Sequence, residues 1–270
     1  MVFAGIDAGS RAVKIVVIDA AGLVLSKKMR DQGIKQEALA EELLDIALRD
    51  CGRTRDEVGR IIATGYGRSQ ISFADSAVTE ITCHAKGVRR MNSDARTIVE
   101  IGGQDSKLIR LDVSGLVRDF VMNDRCAAGT GRFLEVVATR LGTSLDQLGR
   151  IARNSPNPAQ ISSMCVVFAE TEIVGLLASG TPPADIAAGV QVSIAKRVVA
   201  MAGRNVDEPV FFTGGVALVP GMAEAVSESL GRPVKIPQDP QYTGALGAAL
   251  IAAAEAAAAE AAAECSGPQS

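Results

Sequence analysis

Cysteine, aromatic residues and histidine are all scarce in this 270-residue chain. The five cysteines are odd in number and widely scattered, with no CxxC pair, so we expect neither a disulfide framework nor a self-contained zinc or redox motif. Aromatic residues make up 3% and tryptophan is absent, which argues against a base-stacking surface. His84 is the single histidine, so Ser/His or Cys/His catalysis has little to work with.

Excess positive charge and long apolar runs are missing as well. The formal net charge is −3 and no basic stripe is visible, so nucleic acid is not expected as a partner. The first residues lack the features of a signal peptide, and no run of about 20 uncharged apolar residues occurs, so no membrane span is expected. We therefore expect a cytoplasmic protein, whose 47% hydrophobic residues suffice to bury a core.

One order of strands and turns occurs twice along the chain. The apolar strand Val2–Asp7 ends on an acid and is followed by a polar turn and the β-branched strand Val13–Asp19. The strand Arg96–Ile101 starts the same order again, with a glycine turn and a further strand at Lys107–Asp112. Two such halves predict a duplicated α/β unit with a cleft between the halves.

This repeat sets the expected domain boundaries. We place domain I at residues 1–95 and domain II at residues 96–244. The C-terminal stretch is alanine-rich and helical by propensity, although Gly244 and Gly247 are expected to interrupt its start. A helix from about residue 245 to 264 is expected to pack back on domain I, while its end is solvated.

Three strand ends carry glycine beside polar residues, at Asp7–Ser10, Gly102–Asp105 and Thr213–Gly215. Glycine lets the backbone approach a phosphate, and an aspartate at a strand end can hold Mg²⁺. Each turn alone is more often only a turn, but three in one chain are far less expected. None is a Walker P-loop or a G-x-G-x-x-G motif.

Their order resembles the two phosphate segments and the adenosine segment of the superfamily of actin, sugar kinases and heat-shock chaperones. This resemblance implies a duplicated actin-like (ribonuclease-H-like) nucleotidase fold, with ATP in the cleft between two domains. Lys14 could offset phosphate charge, and Gln104 could orient an attacking water.

Two cysteines lie just before predicted helices, Cys126 before Arg132–Leu141 and Cys165 before a segment that begins near Phe168. The positive end of a helix stabilises a thiolate or an anionic cluster. From spacing alone, a lone cysteine is more often a small buried hydrophobe, and that reading stays open. An iron–sulfur cluster needs about four thiolates, which two candidates per chain would supply only in a dimer. Cys51 and Cys83 are read as structural.

Seven motifs of the chain are distinctive when taken together. They are Asp7–Ser10, Ala63–Arg68, Ile101–Lys107, Asn123–Leu134, Cys165–Glu172, Thr213–Ala217 and Gly244–Ala249. Together they resemble the activators of 2-hydroxyacyl-CoA dehydratases and the ATPase subunits of ATP-dependent benzoyl-CoA reductases. The resemblance extends from about Val2 to Ala252, and its cysteine-containing segments are the specific ones.

The resemblance implies a homodimer, or a pair of related subunits, that holds one 4Fe–4S cluster through Cys126 and Cys165 of each subunit. It also implies ATP and Mg²⁺ as cofactors, with catalytic roles for Asp7, Gln104 and Asp105. The remaining nucleotide-binding residues implied are Gly9, Ser10, Arg11, Lys14, Gly102, Gly103, Gly129, Thr130, Gly131, Gly214 and Gly215.

The implied activity is ATP-driven transfer of single low-potential electrons into a separate enzyme. That acceptor would be a 2-hydroxyacyl-CoA dehydratase or a benzoyl-CoA reductase component, and a ferredoxin or flavodoxin would supply the electron. Two other functions remain open. A small-molecule kinase of the same superfamily would use Asp105 as its base, and a non-redox ATPase would only gate a partner; neither would need the cysteines.

Overall fold

The computed structural model describes residues 1–162, 165–203 and 206–265. The chain forms two compact units. Unit 1 combines Met1–Met91 with the segment that begins at Tyr242, and unit 2 is Asn92–Gln241. Unit 1 is therefore built from both ends of the described chain, whereas unit 2 is continuous.

Unit 1 contains a five-stranded sheet in the order β3-β2-β1-β4-β5. The two hairpin pairs, β1 with β2 and β2 with β3, are antiparallel, whereas β4 and β5 add on in parallel. The strands are β1 (Val2–Ala8), β2 (Ala12–Asp19), β3 (Val24–Asp31), β4 (Val58–Thr64) and β5 (Ser76–Ala77).

Three helices cover the two faces of this sheet: α1 (Gln36–Asp50), α2 (Glu80–Met91) and α8 (Thr243–Cys265). Successive side chains of a strand point to opposite faces of the sheet. Because every residue of β1 is buried, helices must cover both faces of the sheet at this strand. Ala4 and Ile6 pack against the leucines of α1, whereas Phe3 packs in a second cluster with the alanines of α8.

Unit 2 repeats this topology. Its sheet has the order β10-β9-β6-β7-β8, with β6–β7 and β7–β8 antiparallel and β9 and β10 parallel. The fold class predicted from the repeated strand order is thereby confirmed. The strands are β6 (Thr97–Ile101), β7 (Ser106–Leu111), β8 (Val117–Asn123), β9 (Val210–Thr213) and β10 (Val234–Lys235).

In the described residues of unit 2, five helices surround a hydrophobic core in which Phe133 and Phe212 are fully buried. The helices are α3 (Gly131–Arg140), α4 (Leu145–Ala152), α5 (Val166–Ala178), α6 (Pro183–Ala202) and α7 (Met222–Leu230). Sequence patterning missed α4, although Ser144 and Gln147 form a capping box at its start, a signal that the sequence does contain.

Glycine does not interrupt α8, contrary to expectation. A Cβ on Gly247 would lie 1.8 Å from the Cys83 carbonyl oxygen, and one on Gly87 would lie 2.0 Å from that of Thr243. The glycines of α8 and α2 therefore let the two helices pack backbone to backbone, which offsets the lower helix propensity of glycine.

Helix α8 is also long and apolar enough, over Thr243–Ala263, to cross a membrane by length and composition. Its apolar window is 33% buried, and buried alanines from Ala245 to Ala252 pack on the sheet of unit 1. One such helix is weak evidence for a span, because core helices of globular proteins pass the same test.

Candidate functional site

The first glycine turn, Gly9–Arg11, connects β1 to β2. Asp7 is the next-to-last residue of β1, is buried, and has its Oδ2 atom 3.1 Å from Nζ of Lys14 on β2. A Cβ on Gly65, whose φ is +88°, would lie 2.5 Å from Asp7 Oδ1. Backbone therefore encloses this carboxylate, and a lysine offsets its charge.

Helix α1 fixes the conformation of the first glycine turn. The side chain of Gln36, the first residue of α1, donates from Nε2 to the Gly9 carbonyl at 3.0 Å. The Gly67 N–H donates to the Ala8 carbonyl at 2.8 Å, and a Cβ on Gly67 would overlap the Gln36 amide. Ser10 is half-buried and Arg11 exposed on this turn.

The start of α8 lies beside Asp7, a contact that sequence reasoning missed. A Cβ on Gly244 would lie 3.4 Å from both Asp7 Oδ2 and His84 Cε1. The buried His84 ring places Nδ1 2.8 Å from the Thr243 hydroxyl. The single histidine thus packs between helices, and the positive end of α8 faces the Asp7 carboxylate. The 159 residues between the two partners leave no local signal for this contact.

The second glycine turn, Gly102–Asp105, connects β6 to β7 and carries a buried ion cluster. The Lys107 side chain is 2% exposed, with Nζ 2.8 Å from Glu100 Oε2 and 2.6 Å from Asp105 Oδ2. A buried ammonium between two carboxylates holds both in fixed positions, and its removal would leave charge uncompensated.

Two glycines border these carboxylates. A Cβ on Gly214, whose φ is +86°, would lie 2.7 Å from Glu100 Oε1, and one on Gly102 would lie 2.7 Å from Asp105 Oδ1. Gly214 follows β9 directly, so the glycine predicted for the adenosine segment and the second glycine turn meet within unit 2. Gly215 and Gln104 are exposed at this place.

The two units share one further feature, a cross-strand ion pair. Asp7 is opposite Lys14 in the β1–β2 ladder, and Glu100 is opposite Lys107 in the β6–β7 ladder. Each acid is the next-to-last residue of its strand. Glu100, which sequence reasoning missed, is therefore the equivalent of Asp7 in unit 2. In both strands the acid is followed by one residue and then a glycine, and this shared spacing could have identified Glu100 from the sequence.

Helix α3 begins directly against the second glycine turn. The Gly131 N–H donates to the Gly102 carbonyl and the Arg132 N–H to the Gly103 carbonyl, each at 2.9 Å. Gly129 and Thr130 are buried and donate their N–H groups within the loop, to Cys126 and Ala127. Gly129–Gly131 therefore support the second glycine turn, and their predicted role in nucleotide binding stays a prediction.

Both candidate ligand cysteines precede helical residues. Cys126 is half-buried at the start of the 3₁₀ turn Ala127–Gly129, and Cys165 is exposed at the start of α5. Within the described ranges, no group of three or more His, Cys, Asp or Glu residues could hold a metal ion. Two thiols match the ligand chemistry of a 4Fe–4S cluster, and a cluster with four thiolate ligands would need two more.

Cys51 and Cys83 are poor candidates for ligation. Burial raises the pKa of the Cys83 thiol to about 12, and the weaker burial of Cys51 also raises its pKa. Because the thiolate is the metal ligand, a raised pKa disfavours binding. Cys51 also lies against the last turn of α1, with Sγ 3.3 Å from the Ala47 carbonyl oxygen. Both thiols therefore fit packing roles.

The duplicated sheets, the glycine turns and the strand-end acids define an ATPase of the actin-like fold. The chain matches the sequence model of the BadF/BadG/BcrA/BcrD ATPase family over residues 4–252, and it belongs to this family. It resembles a hexokinase from Thermus thermophilus in fold alone, with a TM-score of 0.54 and 14% identity.

Relatives and solved structures agree with this assignment. The chain is 42% identical over 249 residues to the activator of lactoyl-CoA dehydratase from Anaerotignum propionicum, covering 92% of this chain and 96% of that one. It is 34% identical to a benzoyl-CoA reductase subunit from Thauera aromatica, and the alignment covers 92% of this chain and 91% of that subunit. Among solved structures, the chain resembles the activator of 2-hydroxyisocaproyl-CoA dehydratase from Clostridium difficile with bound ADPNP. The TM-score is 0.91 and the sequence identity 38%, and the superposition covers 97% of this chain and 98% of that one.

Proposed function

We propose that this chain activates a 2-hydroxyacyl-CoA dehydratase by ATP-driven transfer of single electrons. It would act as a homodimer that holds one 4Fe–4S cluster through Cys126 and Cys165 of each copy. Support comes from relatives that carry the name of dehydratase activators and align with 92% of this chain. The cluster would supply a one-electron carrier of low potential.

The observation that carries the proposal is the short connection between the second glycine turn and Cys126. Two hydrogen bonds join this turn to the first residues of α3, and Cys126 lies five residues before Gly131. A change in the turn on ATP binding or hydrolysis therefore reaches the cysteine through a few bonded residues. Such coupling requires that the nucleotide favour one arrangement of this segment over another.

Mg²⁺ and the phosphates of ATP are assigned to the two glycine turns. Asp7 and Asp105 offer oxygen ligands for Mg²⁺, and the glycines offer backbone N–H groups without steric hindrance from side chains. Gln104, which is exposed on the second turn, would orient the attacking water. The remaining assigned residues are Gly9, Ser10, Arg11, Lys14, Gly102, Gly103, Gly214 and Gly215, together with Glu100.

The surface of α5 supports the homodimer. Val167, Phe168 and Val174 are exposed on this helix, directly after Cys165, and Phe168 is 69% exposed. Apolar residues of this size on one exposed helix mark a protein interface. A second copy that packs here would bring its own thiols toward Cys165.

A benzoyl-CoA reductase is the second candidate for the electron acceptor, because the chain is 34% identical to one component of such an enzyme. In either case the electron donor would be a ferredoxin or flavodoxin, and the protein would act in the cytoplasm. Activation of each purified acceptor, assayed with the same reduced donor and ATP, would separate the two candidates.

The decisive test is the iron and acid-labile sulfide content of protein purified without oxygen. We expect about four of each per dimer and a broad brown absorbance. Cys126→Ser and Cys165→Ser should each lose the iron, whereas the matched Cys51→Ala and Cys83→Ala variants should retain it. Wild-type protein without iron under strict anaerobiosis would exclude the cluster.

A further inference from the structure

Asn123, the last residue of β8, binds both backbone polar groups of Cys126 with one side chain. Its Oδ1 atom accepts from the Cys126 N–H at 3.1 Å, and its Nδ2 atom donates to the Cys126 carbonyl at 2.9 Å. The amide orientation is fixed by this pair, because a flipped amide would set donor against donor and acceptor against acceptor.

The backbone of Asn123 is held at the start of the neighbouring strand. Asn123 is opposite Ser106 in the β7–β8 ladder, and Ser106 directly follows Asp105 of the second glycine turn. One residue therefore belongs to the sheet beside the turn and also binds the backbone of the candidate cluster ligand.

The Cys126 loop (residues 124–130) also contacts Asn123 and α6 through Gly129. A Cβ on Gly129 would lie 3.2 Å from Asn123 Nδ2 and 3.4 Å from Cδ of Arg197 on α6. Gly129 thus lies close to both side chains, and a larger residue at position 129 would require the Asn123 amide to shift by a few tenths of an ångström.

We propose that Asn123 is a positioning residue that holds Cys126 in its ligating conformation. The part of this inference that concerns the cluster rests on the proposed function, whereas the restraint on the Cys126 loop does not. Cys126 is half-buried, so opening of the loop should increase the access of a reagent to its sulfur. Loss of both amide hydrogen bonds should make that opening about tenfold more frequent or more.

The first test uses the full chain after removal of any iron. The rate of alkylation at each cysteine is followed by mass spectrometry, with exposed Cys165 as the internal reference. Asn123→Ala should raise the rate at Cys126 about tenfold and leave Cys165 unchanged. Asn123→Asp, which has the same shape but cannot donate to the Cys126 carbonyl, should also raise it. The exposed Asn154→Ala variant is the matched control and should behave as wild type.

The second test measures iron release from the anaerobically purified dimer to a chelator. Asn123→Ala should release iron about tenfold faster than wild type, while ATP binding and the thermal unfolding midpoint stay near wild type. Unchanged alkylation and unchanged iron release in both Asn123 variants would overturn the inference. Wild-type protein without iron, combined with faster Cys126 alkylation in Asn123→Ala, would instead overturn the proposed cluster and leave the positioning role intact.

Discussion

Lys107 shows how much one residue can contribute to the second glycine turn. Its buried ammonium lies within 2.8 Å of a Glu100 oxygen and 2.6 Å of an Asp105 oxygen. Lys107→Met keeps the side-chain length but leaves the two carboxylates near each other without this cation. We expect a loss of about 3–5 kcal/mol in the free energy of unfolding, measured with urea.

The matching double variant tests the cause of this loss. Glu100→Gln combined with Lys107→Met removes one of the two carboxylate charges and should recover part of the stability. A Lys107→Met variant within about 1 kcal/mol of wild type would show that water or a counter-ion compensates the carboxylates.

Asp7 and Glu100 are equivalent in the two units, and their substitutions should have similar effects. Asp7→Asn and Glu100→Gln should each lower Mg²⁺-dependent ATPase turnover by on the order of 100-fold, since each removes a charge beside a phosphate-binding turn. Iron content should stay at the wild-type value. The exposed Asp56→Asn variant is the control, and full turnover in Asp7→Asn would contradict the assignment.

Sequence alone predicts the residues whose signals are local. Asp7, Asp105 and the glycines stand at strand ends, where apolar runs stop and turns begin, so they can be recognised without a partner. Glu100 holds the same next-to-last strand position as Asp7 but was missed, because its role emerges from its cross-strand lysine. The contact between His84 and Thr243 depends on tertiary structure and has no sequence signature.

At the scale of elements, the backbone contact between α2 and α8 depends on glycine. Gly247→Ala would place a methyl group 1.8 Å from the Cys83 carbonyl oxygen, so the helices must separate. We expect a loss of about 1–3 kcal/mol, seen as a lower midpoint of thermal unfolding. Gly175→Ala is the control: this helical glycine has nothing within 4 Å of the added Cβ, and the change should stabilise α5 by about 0.5–1 kcal/mol.

The same helices show which elements the sequence could predict. Helix α3 was predicted at Arg132–Leu141 and forms at Gly131–Arg140, with its apolar residues in the core of unit 2. Helix propensity alone predicted an interruption of α8 at Gly244 and Gly247, which was wrong. Propensity counts the local cost of glycine in a helix, whereas the packing against α2 that offsets this cost is a tertiary contact. Helix α4 is only Leu145–Ala152, too short for a clear period.

At the scale of the whole molecule, dimerisation should depend on the exposed face of α5. Phe168→Asp places a charge on an apolar surface that a second copy would bury, so the protein should become monomeric by analytical ultracentrifugation. Its iron content should fall well below one cluster per two chains, while ATP binding remains. Leu23→Asp, at a position that is 61% exposed in unit 1, should leave the dimer intact. A dimeric Phe168→Asp protein with full iron would exclude this face.

The divided sequence of unit 1 affects how the chain is made. Helix α8, which covers Phe3, Val16 and Ile18 on one face of the first sheet, leaves the ribosome only after all of Asn92–Gln241 has been synthesised. Unit 2 can therefore fold on the nascent chain while unit 1 still exposes an apolar sheet face. Throughout that interval this face is open to chaperones and to aggregation, and newly translated α8 closes it.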